Sequence, residues 1–152
     1  MGSTNGQPFV RCGAALCAVA GAGGAADVFS DVSPNPTDRD VAAGKQQFLD
    51  GGHDGVIAAG GGSGMDAGKA ISLVAGTQHE LWAFDYDRGE WPTYAAGDFV
   101  SLITVPSTAG TGAETESTAM VTDTAARVKR CVWHPAHKPS VALLDPEITL
   151  GL

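Results

Sequence analysis

Three consecutive glycines, Gly60–Gly62, join the apolar run at residues 55–59 to a segment in which Met65, Ala67, Ile71, Val74 and Ala75 recur at helical spacing. A chain that passes from a short buried strand into a helix through so tight a turn belongs with the layered α/β folds. Glycine leaves no Cβ in the turn, so a phosphate can reach the free N–H groups at the helix start. The expected ligand is a nucleotide. A plainer reading stands beside it, in which Ser63 and Asp66 are an N-cap and its capping-box partner.

Sharper patterns divide cleanly on this stretch. The P-loop pattern fails twice, because Ser63 stands at its first glycine and Ala70 follows Lys69 where Ser or Thr is needed. The nucleophile elbow fails because Met65 occupies its second glycine position. The dinucleotide pattern survives in loose form as Gly62-Ser-Gly64-Met-Asp-Ala67, although Thr77–Asp85 does not read as the strand that should carry a ribose-binding acid. A second loose match, Gly21-Ala-Gly23-Gly-Ala-Ala26, runs into Pro34 and Pro36 and is read as a decoy.

Along the chain, the Ala-rich residues 11–22 read as a helix and Ala25–Val32 as a strand stopped by Ser33-Pro-Asn-Pro36. Thr37 is the expected N-cap of a helix reaching Leu49, with Val41, Phe48 and Leu49 inside. Gly76–Asp98 reads as a long surface connection, with Asp85, Asp87 and Glu90 as solvated charges. Phe99–Val105, Thr118–Val121, Val128–Trp133 and Val141–Leu144 read as strands. His134-Pro-Ala-His137 reads as surface chain, and His53 and His79 as solvated loop residues. Residues 1–10 read as a polar, disordered lead and 11–152 as one α/β domain, three-layered in its front half and strand-rich behind.

A net charge of −8 and a pI near 4.7 argue against nucleic-acid partners, which need a basic patch. No stretch approaches the roughly 20 apolar residues that span a bilayer, and the first residues lack a secretory leader pattern. A cytoplasmic protein is expected. Cys12, Cys17 and Cys131 form no CxxC pair and read as buried free thiols.

Taken together, the two Gly/Thr clusters make the chain resemble the iron-containing (group III) alcohol dehydrogenases. The matching pieces run in order: Val32-Ser-Pro-Asn-Pro-Thr37, Gly60-Gly-Gly-Ser-Gly-Met-Asp66 with Lys69, Val105-Pro-Ser-Thr-Ala-Gly-Thr-Gly-Ala-Glu114, Val121-Thr-Asp123, Lys129 and Ala142-Leu-Leu-Asp-Pro-Glu-Ile-Thr149. The resemblance implies a Rossmann-like, three-layer α/β domain with a parallel sheet and additional strands, binding NAD or NADP, without the C-terminal helical domain that holds the family's iron or zinc. It places Asn35 near the adenosine side; Gly61, Gly62, Ser63, Gly64 and Asp66 at the pyrophosphate; Ser107, Thr108 and Thr111 at the phosphates and nicotinamide ribose; and Lys129 on the cofactor. Glu116 departs from the usual Thr of the family stretch.

Hydride transfer between a small alcohol or aldehyde and the nicotinamide is the implied activity. The alternative is a non-catalytic NAD(P)-binding module. The resemblance also implies a piece truncated at both ends, with the family's metal ligands beyond Leu152 and no metal expected in this chain. A homo-oligomer is expected to cover faces left bare around Met65, Ile71 and Val141–Leu144.

Overall fold

The computed structural model describes residues 16–20 and 26–150. Five strands form one sheet in the order β2-β1-β3-β4-β7, comprising β1 (Leu16–Ala20), β2 (Ala26–Phe29), β3 (Gly55–Gly60), β4 (Ser101–Pro106) and β7 (Val141–Ala142). β3, β4 and β7 run parallel, with Ile57 opposite Ile103 and Ile103 opposite Val141. β1 is antiparallel to both β2 and β3. The expected helix at 11–22 is corrected at residues 16–20, where hydrogen-bonded partners on both sides outweigh the helix propensity of alanine. The rest of that segment, the lead at 1–10 and residues 21–25 of the decoy motif lie outside the described residues.

Helix α1 (Asp38–Asp50) starts where the sequence indicates. Thr37 Oγ1 accepts from the Asp40 N–H at 3.2 Å and Asp40 Oδ2 accepts from the Thr37 N–H at 2.8 Å, a complete capping box. Val41 and Phe48 are buried, but Leu49 is 51% exposed, since it lies about 100° round the helix from Phe48. Gly44 also faces inward: a Cβ there would come within 2.3 Å of Ile71 Cδ1 on helix α2 (Gly62–Ala75), so the two helices meet at a glycine.

Helix α2 is buried on nearly every side, as an apolar helix must be. It lies between the five-stranded sheet and a separate hairpin, β5 (Thr118–Asp123) with β6 (Val128–Trp133), while α1 packs alongside. Val56, Ala58 and Leu102 of the sheet and Ala119, Val121 and Val132 of the hairpin meet it in one core. Met65 and Ile71 are therefore fully covered by this chain, contrary to expectation, whereas Val141, Leu143 and Leu144 are exposed. No helix among the described residues is long and apolar enough to cross a membrane.

The connection at 76–98 is not a surface loop. It makes short 3-10 turns at Leu81–Phe84, Tyr86–Arg88 and Ala96–Asp98 and delivers Leu81 and Phe84 to the core. Asp85, expected to be solvated, is 4% exposed: its Oδ2 accepts from Arg130 Nη1 at 2.8 Å. Arg130 Nε donates to Asp123 Oδ2 at 3.0 Å, and its guanidinium lies 5.9 Å from the Trp82 ring centre. Asp87 and Glu90 stay exposed. Aromatic residues without a period gave no element to read, yet Phe84 enters the core and Trp82 and Tyr94 pack against it, while Tyr86 stays exposed; the buried acid is tolerated because a guanidinium meets it.

Arg130→Met should lower the thermal unfolding midpoint by roughly 5 °C, because it leaves two carboxylates without their partner. Lys129→Met, one residue away, should change it little. Equal midpoints for Arg130→Met and the parent, measured by circular dichroism, would remove Arg130 as the clasp between the 76–98 segment and the hairpin.

Candidate functional site

The site begins where β3 ends. Gly60 has φ +134°, a conformation that side chains rarely adopt, and Gly61 is the N-cap of α2. No side chain caps this helix, so its first N–H groups, which have no intrahelical partner, remain available to a ligand. The capping-box reading is corrected: Ser63 lies inside the helix, and its hydroxyl donates to the Pro34 carbonyl instead. A Cβ on Gly62 would meet no atom within 4 Å, so the turn opens onto free space there.

The second glycine cluster follows β4 directly. The Ser107 N–H donates to the Gly60 carbonyl at 2.8 Å, which sets the two turns side by side. Thr108 Cγ2 lies 3.4 Å from the place a Cβ would take on Gly61. Gly110 and Gly112, at φ +109° and +68°, bend the loop, and Thr111 Oγ1 accepts from the Ala113 N–H at 3.3 Å. Both turns leave the carboxyl ends of adjacent parallel strands, the place where open α/β sheets take their ligands.

Asn35 and Lys129 close one side. Lys129 Nζ donates to Asn35 Oδ1 at 3.2 Å, and both side chains are otherwise exposed. The Pro-Asn-Pro turn is held between the Ser63 hydroxyl on Pro34 and the Thr122 N–H on the Pro36 carbonyl at 2.7 Å. Residues far apart in sequence are thus brought to one rim.

Of the predicted residues, Gly64 is buried in the first turn of α2 and Asp66 is part-buried, with Oδ1 3.5 Å from Lys69 Nζ. Burial pushes the Asp66 carboxyl up, against Lys69 and the Met120 backbone pulling it back. Burial pushes the Lys69 ammonium down, opposed first by Asp66. In the sequence Lys69 is marked only as a motif position beside the glycine turn. Its signal was a lysine one turn after an acid on an otherwise apolar helix.

His134 and His137 are buried rather than part of a surface connection. His134 Nε2 donates to the Pro92 carbonyl at 2.9 Å, and its Nδ1 accepts from the Ala136 N–H at 3.2 Å. Ser72 Oγ donates to the Val100 carbonyl at 2.9 Å, so His137 Nε2, 3.1 Å away, donates to Ser72. Each ring has its own carbonyl or hydroxyl, and among the described residues no three His, Cys, Asp or Glu side chains gather to fit a divalent metal. His53 is covered as well, with Nε2 3.1 Å from Asp27 Oδ2, whereas His79 is exposed. Cys131 is half-buried, and burial pushes its thiol up. Cys12 and the Cys17 side chain lie outside the description.

Burial, with smaller contributions from Lys69 and His134, lowers the His137 pKa from 6.5 to about 4. The unfolded chain therefore takes up this proton first, so the stabilisation from neutral His137 is complete above pH 6.5 and is lost as pH falls toward 4. The loss should reach about 3 kcal/mol. Urea melts at pH 7 and pH 4 should show this loss in the parent and a flatter dependence in His137→Leu; identical slopes would exclude His137 as the source.

Residues 12–146 match the family of iron-containing alcohol dehydrogenases. The chain is similar to the choline dehydrogenase of Bacillus subtilis (strain 168), with 33% identity over 125 residues, covering 82% of this chain and 31% of that protein. It is also similar to the NAD-dependent methanol dehydrogenase of Bacillus methanolicus, with 35% identity over 122 residues, covering 80% and 30%. The crystal structure of sulfoacetaldehyde reductase from Bifidobacterium kashiwanohense in complex with NAD+ matches with a TM-score of 0.72 and 31% identity, over 82% of this chain and 32% of that one. The chain spans about a third of the length of these proteins.

Proposed function

This chain belongs to the iron-containing alcohol dehydrogenase family, and on that premise we propose that it binds NAD or NADP for hydride exchange with a small alcohol or aldehyde. One observation carries the reading: the uncapped first turn of α2 opens beside a Ser/Thr loop at the ends of two parallel strands. Gly61, Gly62, Ser63 and Gly64 offer backbone N–H groups to the pyrophosphate, and Asp66 forms the inner wall of that turn. Ser107, Thr108 and Thr111 offer hydroxyls to phosphate and ribose. Asn35 and Lys129 enclose the adenosine side, with Lys129 as the cation.

When bound, the nicotinamide supplies the hydride acceptor or donor. The residues of this chain bind and orient it. The described residues do not fit the family's divalent metal, and no step here runs through one. The exposed strip Val141, Leu143 and Leu144 beside the edge strand β7 supports self-association as part of the same reading. A cytoplasmic setting also belongs to the proposal and rests on the acidic composition.

Gly62→Val fills open space in the free protein but occupies the pyrophosphate position. It should weaken NADH or NADPH binding at least tenfold in a fluorescence titration while keeping stability within about 1 kcal/mol. Equal affinity for the two proteins would reject the site. Cofactor-dependent turnover of short primary alcohols then separates a dehydrogenase from a binding module, which would bind without turnover.

A further inference from the structure

We infer that Lys69 is a positioning residue for the Ser107–Glu114 loop, acting through the Ala113 carbonyl. The inference rests on the reading of that loop as part of the nucleotide site. Lys69 is 1% exposed and stands on a helix whose other inward residues are Gly, Ala, Ser, Met, Ile, Leu and Val. Its Nζ donates to the Ala113 carbonyl at 2.9 Å and lies 3.5 Å from Asp66 Oδ1. Next to it, Thr104, 0% exposed on β4, donates its hydroxyl to the Glu114 carbonyl at 2.7 Å.

Consecutive carbonyls at the end of the loop are thus seized by two buried donors from different elements. The loop start is held separately, by the Ser107 N–H on the Gly60 carbonyl. Between these anchors run Thr108, Gly110, Thr111 and Gly112, with positive φ at both glycines; the local bonds of this stretch, the Ala113 N–H on Thr111 Oγ1 and the Thr115 N–H and hydroxyl on the Gly112 carbonyl, tie the loop to itself and not to the rest of the fold. Anchoring both ends keeps the hydroxyls of Thr108 and Thr111 beside the Gly60–Gly64 turn.

Stability alone does not call for a lysine here. A buried ion pair replaced by hydrocarbon of similar volume is often neutral or stabilising, and methionine would suit so apolar a helix. What methionine lacks is a donor for the Ala113 carbonyl. The Asp66 carboxylate then has a defined part, since it keeps the ammonium charged and in place while burial works against the charge.

The test is hydrogen exchange by mass spectrometry on the free protein, with Lys69→Met and the double variant Asp66→Asn/Lys69→Met, which leaves no orphaned charge if the single variant fails to fold. Amides of residues 108–114 should exchange at least tenfold faster, with β3 and β4 amides unchanged, and the NADH or NADPH dissociation constant should rise about tenfold. A folded variant whose loop exchange stays within twofold of the parent overturns the inference. If the parent itself binds neither dinucleotide, the nucleotide reading falls, and the exchange comparison, made without ligand, still decides whether Lys69 holds the loop.

Discussion

Helix α2 is surrounded: the sheet lies under it, the β5–β6 hairpin over it and α1 along it. Burial on this scale explains its composition, in which glycine, alanine and serine allow neighbours to approach and Met65, Ile71, Leu73 and Val74 fill what remains. Gly44 shows how tight the fit is, because a single methyl group on α1 would run into Ile71. The orientation of α2 fixes where its N-terminus points, and that end is the proposed nucleotide site.

Two turns make the proposed site, and one backbone hydrogen bond joins them. Ser107 on the Gly60 carbonyl continues the parallel ladder of β3 and β4 past the last strand residues, so both loops emerge on the same edge. Polar groups inside the molecule serve that arrangement. Lys69 and Thr104 reach the far end of the second loop, and the Ser63 hydroxyl ties the Pro-Asn-Pro turn to the first. Arg130 does comparable work at a distance, fastening the aromatic 76–98 segment to the hairpin through Asp85 and Asp123. In each case a buried or half-buried polar group is retained where it joins two elements that packing alone would leave free to slide.

Sequence by itself determined the strand–turn–helix at residues 55–75, the Thr37 cap, strands β4 to β6 and the two glycine clusters with their family resemblance. These signals are local: a capping hydroxyl, alternation over six residues and glycine where a side chain cannot sit each act within a few residues. The same locality explains the errors. Residues 16–20 are a strand because β2 and β3 pair with it, and no propensity within those residues encodes the partners. Asp85, His134 and His137 looked solvated because their partners, Arg130, Pro92 and Ser72, stand between 42 and 65 residues away. Only the tertiary structure decided that Asn35 meets Lys129, 94 residues on, and that Lys69 reaches the Ala113 carbonyl, 44 residues on. Hydrogen bonds are short and directional, so they exist only after the chain has brought both ends together.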